Sequence, residues 1–134
     1  MAEAWIVSLP QQFHDRQACT FAVVLKETSE LIGCIILLLN MTHRRGELGY
    51  WIGQPFWNHG YCSEAAHIIL DYVFLVLGLH RIQGQCMTRN LVSGRVMQKI
   101  GMRHEGSLRQ HMQKRGQFED VELYVILKQE WMEI

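Results

Sequence analysis

The sequence predicts an α/β fold of the α+β kind, with a mixed, mostly antiparallel sheet and flanking helices. Three observations predict it: β-branched apolar runs separated by polar turns early in the chain, a switch to helical period in the middle, and two long strand-like segments around a glycine turn at the end. With 134 residues and no Pro/Gly/Ser-rich linker, repeat or low-complexity tract, a single domain over 1–134 is expected.

Taken in order, Ala4 to Phe13 reads as a short helix, because Trp5, Ile6, Leu9 and Phe13 recur near helical spacing until Pro10 ends or kinks it. Thr20 to Leu25 and Leu31 to Leu39 are β-branched and apolar, and the polar KETSE between them reads as a hairpin turn. A third strand, Glu47 to Ile52, follows the basic turn THRRG. The period then changes: Ala65, Ile68, Ile69, Tyr72, Val73, Val76 and Leu77 predict a helix from about Cys62 to Leu77, stopped by Gly78. Arg81 to Met87 is a short strand. Asn90 is a helix cap for Leu91 to Ile100, which Gly101 terminates. Met102 to Gln113 and Gln117 to Lys128 form a closing hairpin around Lys114, Arg115 and Gly116. The predicted order is βββαβαββ.

Composition excludes several functions. Lys plus Arg and Asp plus Glu are 13 each, so no basic field gathers nucleic acid and no such partner is expected. The longest apolar runs, broken by Gly33 and Gly78, fall short of the roughly 20 residues that span a membrane. The N-terminus has no secretory pattern, so no membrane and a cytoplasmic location are the expectation. Cys19, Cys34, Cys62 and Cys86 match neither a zinc pattern nor a dense disulfide framework, and the histidines show no ligand spacing. Reduced thiols and no metal are expected.

The chemistry-bearing segment is GYWIGQPFWNHGYCSEAA, Gly49 to Ala66, where a strand runs through a glycine-containing loop into the long helix. Helix-start amides lack internal partners and sit at the positive end of the dipole, which suits a pyrophosphate, and Gly60 lets backbone come close. The loop is neither a P-loop nor a dinucleotide fingerprint, since it lacks Gly-Lys-Ser/Thr and has one glycine in the turn. The aromatics Tyr50, Trp51, Phe56 and Trp57 read more readily as core and loop packing than as a binding platform.

Four blocks, ELGYWIGQPFWNHGYCSEAA, LGLHRIQGQC, RNLVSGRVMQKIGMRHEG and GQFEDVELYVILKQEW, resemble in order and spacing the GNAT superfamily N-acetyltransferases of the RimJ/RimL type. The resemblance implies the GNAT acyl-CoA N-acyltransferase fold and acetyl transfer from acetyl-CoA to a primary amine by direct attack. The acceptor would be a protein N-terminal α-amine or a small-molecule amine. It also implies that the backbone of Trp57, Asn58, His59, Gly60, Tyr61, Cys62 and Ser63 holds the pyrophosphate. The pantetheine arm would run along Tyr50, Trp51, Ile52 and Gly53, in the gap beside Arg81 to Met87. Asn90, Ser93 and Arg95 complete the implied CoA contacts. His59, Tyr61 and Arg95 read equally well as ordinary exposed residues.

Acetyl transfer requires a neutral amine, donors for an oxyanion and a proton for the leaving thiolate. Glu47 is the candidate base, through water, against a plain ion pair with Arg44 or Arg45. Ser93 is the candidate acid, against ordinary helix-start grammar after Asn90. Asp120, Leu123 and Tyr124 match the family's DxxLY pattern, where Asp120 shapes the acceptor side or supports a turn.

The chain departs from that family at its start, where the usual first strand and part of the N-terminal helical region are expected to be missing. Thr20 to Leu25 would then be an exposed edge, and a homodimer through a sheet edge is expected. The rival reading is a catalytically idle CoA-binding or sensing module.

Overall fold

The computed structural model describes residues 4–8, 18–52 and 60–133. Its strands and helices follow in the order β1 (Ala4–Ser8), β2 (Ala18–Leu25), β3 (Leu31–Asn40), β4 (Arg45–Ile52), α1 (Tyr61–Leu75), β5 (Arg81–Met87), α2 (Leu91–Lys99), β6 (Arg103–Lys114), β7 (Gln117–Leu127) and α3 (Lys128–Met132). The strands form one seven-stranded sheet in the order β1-β2-β3-β4-β5-β7-β6. Every neighbouring pair is antiparallel except β4 and β5, which run parallel across the α1 crossover.

Alternation along the strands decides which side chains meet the helices. In β3 the side chains of Ile35 and Leu37 are fully buried, whereas Ile36 and Leu38 keep 40% and 50% of their surface. Register carries that face across the sheet: Phe21 opposes Ile35, Leu37 opposes Leu48, Gly46 opposes Ile82 and Gly84 opposes Tyr124. Apart from the two glycines, these residues form one core with Ala65, Ile69, Leu70, Val73 and Phe74 of α1 and Met97 of α2. The opposite face carries Ile36, Leu38, Glu47 and Gln83 and is called the open face below.

Three expectations are corrected. The N-terminal segment expected as a helix from Ala4 to Phe13 is a strand over Ala4–Ser8, paired from Ala4↔Leu25 to Ser8↔Phe21. Residues 9–13 lie outside the described residues. Trp5, Ile6 and Val7 suit a pleated surface, and the unpaired backbone row of β2 outweighs a weak local helical spacing. For the same reason Thr20 to Leu25 is not an exposed edge, and the homodimer argued from that edge loses its surface. The third correction lies at the other end, where the chain turns into α3. There the Leu127 amide donates to Glu130 Oε1 at 3.0 Å, and Trp131 packs against Phe74 with ring centroids 5.3 Å apart. The remaining strands and helices, from β2 to β7, fall within about two residues of their expected bounds.

Candidate functional site

The parallel ladder between β4 and β5 is short. It runs from Arg45↔Arg81 to Leu48↔Gly84 and stops, although β4 continues to Ile52 and β5 to Met87. Beyond Leu48 and Gly84 the two strands are held only by their outer neighbours, β3 and β7. The sheet therefore opens into a V-shaped gap whose walls are backbone groups that no strand among the described residues takes up. An extended, amide-bearing chain fits such a gap by adding to the sheet edges.

Past Ile52 the chain passes through residues outside the described set and re-enters at Gly60, which caps α1 in the left-handed region with φ 77°. A side chain there would be strained by that φ although the space around it is open. Among the described residues, no side chain makes a cap hydrogen bond to α1. Its first-turn amides have no acceptor within the helix and lie at the positive end of the dipole, so the residues present fit a pyrophosphate. Tyr61 and Ser63 are half-buried in that first turn. Gly53, Trp57, Asn58 and His59 lie outside the described residues, as does Phe56. Tyr50, Trp51, Ile52 and Cys62 are placed by their backbone alone.

On the helix side of the gap, Asn90 caps α2 by accepting the Ser93 amide at 3.1 Å. The Ser93 side chain hydrogen-bonds the Cys86 thiol on the β5 wall. Burial pushes the Cys86 pKa up, the Ser93 bond partly opposes that shift, and the nearby Glu122 carboxylate adds to it. Arg95 is exposed on α2. Tyr124 is buried behind α2, with its pKa raised by burial and, to a lesser degree, by Cys86 and Glu122. On the open face, Glu47 is half-buried and stands opposite Gln83, one rung before the gap begins. Among the described residues it makes no ion pair with Arg44 or Arg45. The two candidate catalytic residues thus flank the apex of the gap from opposite faces of the sheet.

Asp120 holds backbone: its Oδ1 accepts the Gln110 amide at 2.8 Å, at a β6 bulge where Gln110 takes φ 48°. Sequence reasoning missed a neighbouring hub. The Glu122 carboxylate accepts from the Ser107 hydroxyl at 2.6 Å and from the Thr88 hydroxyl, and meets His104 Nε2 at 2.7 Å. Those bonds, Ser107 first, lower its pKa from 4.5 to about 2. No local spacing signals this hub, because its members come from three strand neighbourhoods. Also missed was Arg45, which lines a hollow on the open face with Glu47, Gln83 and Leu38. A period of two along β4 was the available signal. Among the described residues, no group of three or more His, Cys, Asp or Glu is placed to hold a metal, and no helix is long and apolar enough to cross a membrane.

Comparison with known proteins agrees with this fold. Residues 1–103 match the acetyltransferase (GNAT) domain family. The chain is 40% identical over 111 residues to the uncharacterized N-acetyltransferase YnaD of Bacillus subtilis (strain 168), covering 83% of this chain and 65% of that protein. It is 27% identical over 123 residues to the spermidine N(1)-acetyltransferase of Vibrio cholerae, covering 91% and 70%. A crystal structure of a GNAT-family acetyltransferase from Bacillus anthracis superposes with a TM-score of 0.77 at 35% identity, covering 82% of this chain and 66% of that one. The chain thus spans a little under two thirds of the length of YnaD. The family match and, among the described residues, the sheet that splits between its parallel strands β4 and β5 and the start of α1 without a side-chain cap lead to one conclusion: the chain belongs to the GNAT acetyltransferase family.

Proposed function

We propose that the chain transfers an acetyl group from acetyl-CoA to a primary amine by direct attack in a ternary complex, as a cytoplasmic enzyme of the RimJ/RimL type. The observation that carries this reading is the ladder that stops at Leu48 and Gly84 while both strands continue. The pantetheine amides would bond the backbone of Tyr50, Trp51, Ile52 and Gly53. The pyrophosphate would sit on the amides from Trp57 to Ser63, with Asn90 and Arg95 toward the rest of the nucleotide.

In this reading Glu47, through water, takes a proton from the acceptor ammonium, which frees the nitrogen lone pair. The nitrogen attacks the thioester carbonyl, a C–N bond forms and the C–S bond breaks. The nitrogen gives up its second proton, the Ser93 hydroxyl relays one proton to the thiolate, and the proton taken by Glu47 leaves through water to solvent. The opposed placement of Glu47 and Ser93 supports separate routes for amine and thiol. The Vibrio cholerae relative, whose name gives spermidine as acceptor, supports a small amine.

The test is thermal shift with acetyl-CoA, together with thiol release against an amine panel. Gly60→Asp should abolish the shift, because a carboxylate among those amides repels the pyrophosphate, while Gly60→Ala keeps it. Glu47→Gln should lower kcat about a hundredfold with the acetyl-CoA shift retained. A shift that Gly60→Asp leaves intact would overturn the loop assignment. Binding without turnover on any amine would return the chain to a CoA-binding module.

A further inference from the structure

The open face holds a hollow of about 210 Å³ beside the apex of the gap, lined by Leu38, Leu39, Asn40, Arg45, Gly46, Glu47 and Gln83. It is small beside the roughly 300–1,000 Å³ of pockets for drug-sized ligands, so it suits a compact molecule. Arg45 and Glu47 are two residues apart on β4, so both point to the open face, with Cα atoms about 7 Å apart. They carry opposite charges, yet neither is in an ion pair among the described residues.

Neighbouring charges sharpen the contrast. Arg81, opposite Arg45 on β5, is neutralised by Glu105 at 2.9 Å. Asn40, opposite Arg45 on β3, has its Oδ1 engaged by the His43 amide at 3.2 Å. Among the described residues, Arg45 is therefore the cation lining the hollow that makes no ion pair. A polyamine that put one ammonium at Glu47 would bring its next cation toward Arg45. A molecule with an anion two bonds from its amine would satisfy both groups. Next to Glu47 on the same face stand Leu38, its partner in register, and then Ile36, both substantially exposed.

We propose that the acceptor is an α-amino carboxylate with an apolar side chain. Its amine lies at Glu47, its carboxylate on the Arg45 guanidinium and its side chain over Leu38 and Ile36. This assignment rests on the acetyl-transfer reading above and narrows its acceptor. The product is the N-acetylated amino acid, formed by the balanced step already given.

The experiment compares leucine with isopentylamine, the same molecule without its carboxylate, as acceptors in thiol release, for the native chain and for Arg45→Gln. An acetyl-CoA thermal shift is measured on both proteins in parallel. The expected result is a kcat/KM for leucine at least about tenfold above that for isopentylamine, and a ratio near one in Arg45→Gln through a raised KM for leucine. Equal use of both acceptors by the native chain, or a ratio that survives Arg45→Gln, would overturn the assignment. So would an intact acetyl-CoA shift with turnover of neither acceptor. Loss of the shift itself would instead bring down the acetyl-transfer reading, and this inference with it.

Discussion

The Tyr124 hydroxyl stands against Gly94 so closely that a Cβ there would lie 3.1 Å from the oxygen and 3.7 Å from the ring carbon that bears it. This contact seats the first turn of α2, and with it Asn90 and Ser93, against β7. Gly94→Ala gains roughly 1 kcal/mol of helix propensity. It also overpacks a buried contact, at about 1–3 kcal/mol. The expected net result is destabilisation by about 1 kcal/mol in the native background, against stabilisation in a Tyr124→Phe background. Urea unfolding of the four proteins measures it, and the same sign in both backgrounds would refute the contact.

A second prediction concerns acid. Glu122 has its pKa lowered to about 2 by bonds from Ser107, Thr88 and His104. A lowered carboxylate contributes stability above its unfolded value of 4.5 and loses it as pH falls toward the folded value. The difference in thermal midpoint between the native chain and Glu122→Gln should hold steady above pH 5 and shrink between about pH 4.5 and 2. A difference that stays constant across that window would show that the carboxylate is not held by these bonds.

The parallel junction is tight on the helix side. A Cβ on Gly46 would meet the Cδ1 atoms of Ile82, Leu37 and Leu79 at 3.1–3.2 Å, whereas one on Gly84 would meet Met97 Sδ at 3.1 Å and Cε at 3.3 Å. Three fully buried aliphatic ends have nowhere to retreat, while an unbranched methionine re-packs. Gly46→Ala should therefore cost about 2 kcal/mol and Gly84→Ala about 1 kcal/mol, read from urea midpoints. The reverse order would mean that Met97 is the more rigid neighbour.

Much of the fold was legible because its signals are local. The runs in β2 and β3, the helical spacing of α1, the Asn90 cap and the turn at Gly116 each follow from residues close in the chain. Ala4–Ser8 misled, because its strand state comes from β2, more than ten residues away, and not from its own spacing. α3 was missed for a related reason: Trp131 packs onto Phe74, far back in the sequence.

The site divides in the same way. The sequence by itself determined the glycine at the start of α1, the cap at Asn90 and the order of the four blocks, since each is a matter of residue type at short spacing. Only the tertiary structure decided that β4 and β5 part after Leu48 and Gly84, that Glu47 and Ser93 approach the split from opposite faces, and that Arg45 shares a hollow with Glu47. The physical reason is register. Which side chains meet across a sheet depends on hydrogen-bonded pairing between distant strands, and a shift of one residue would send each of them to the other face.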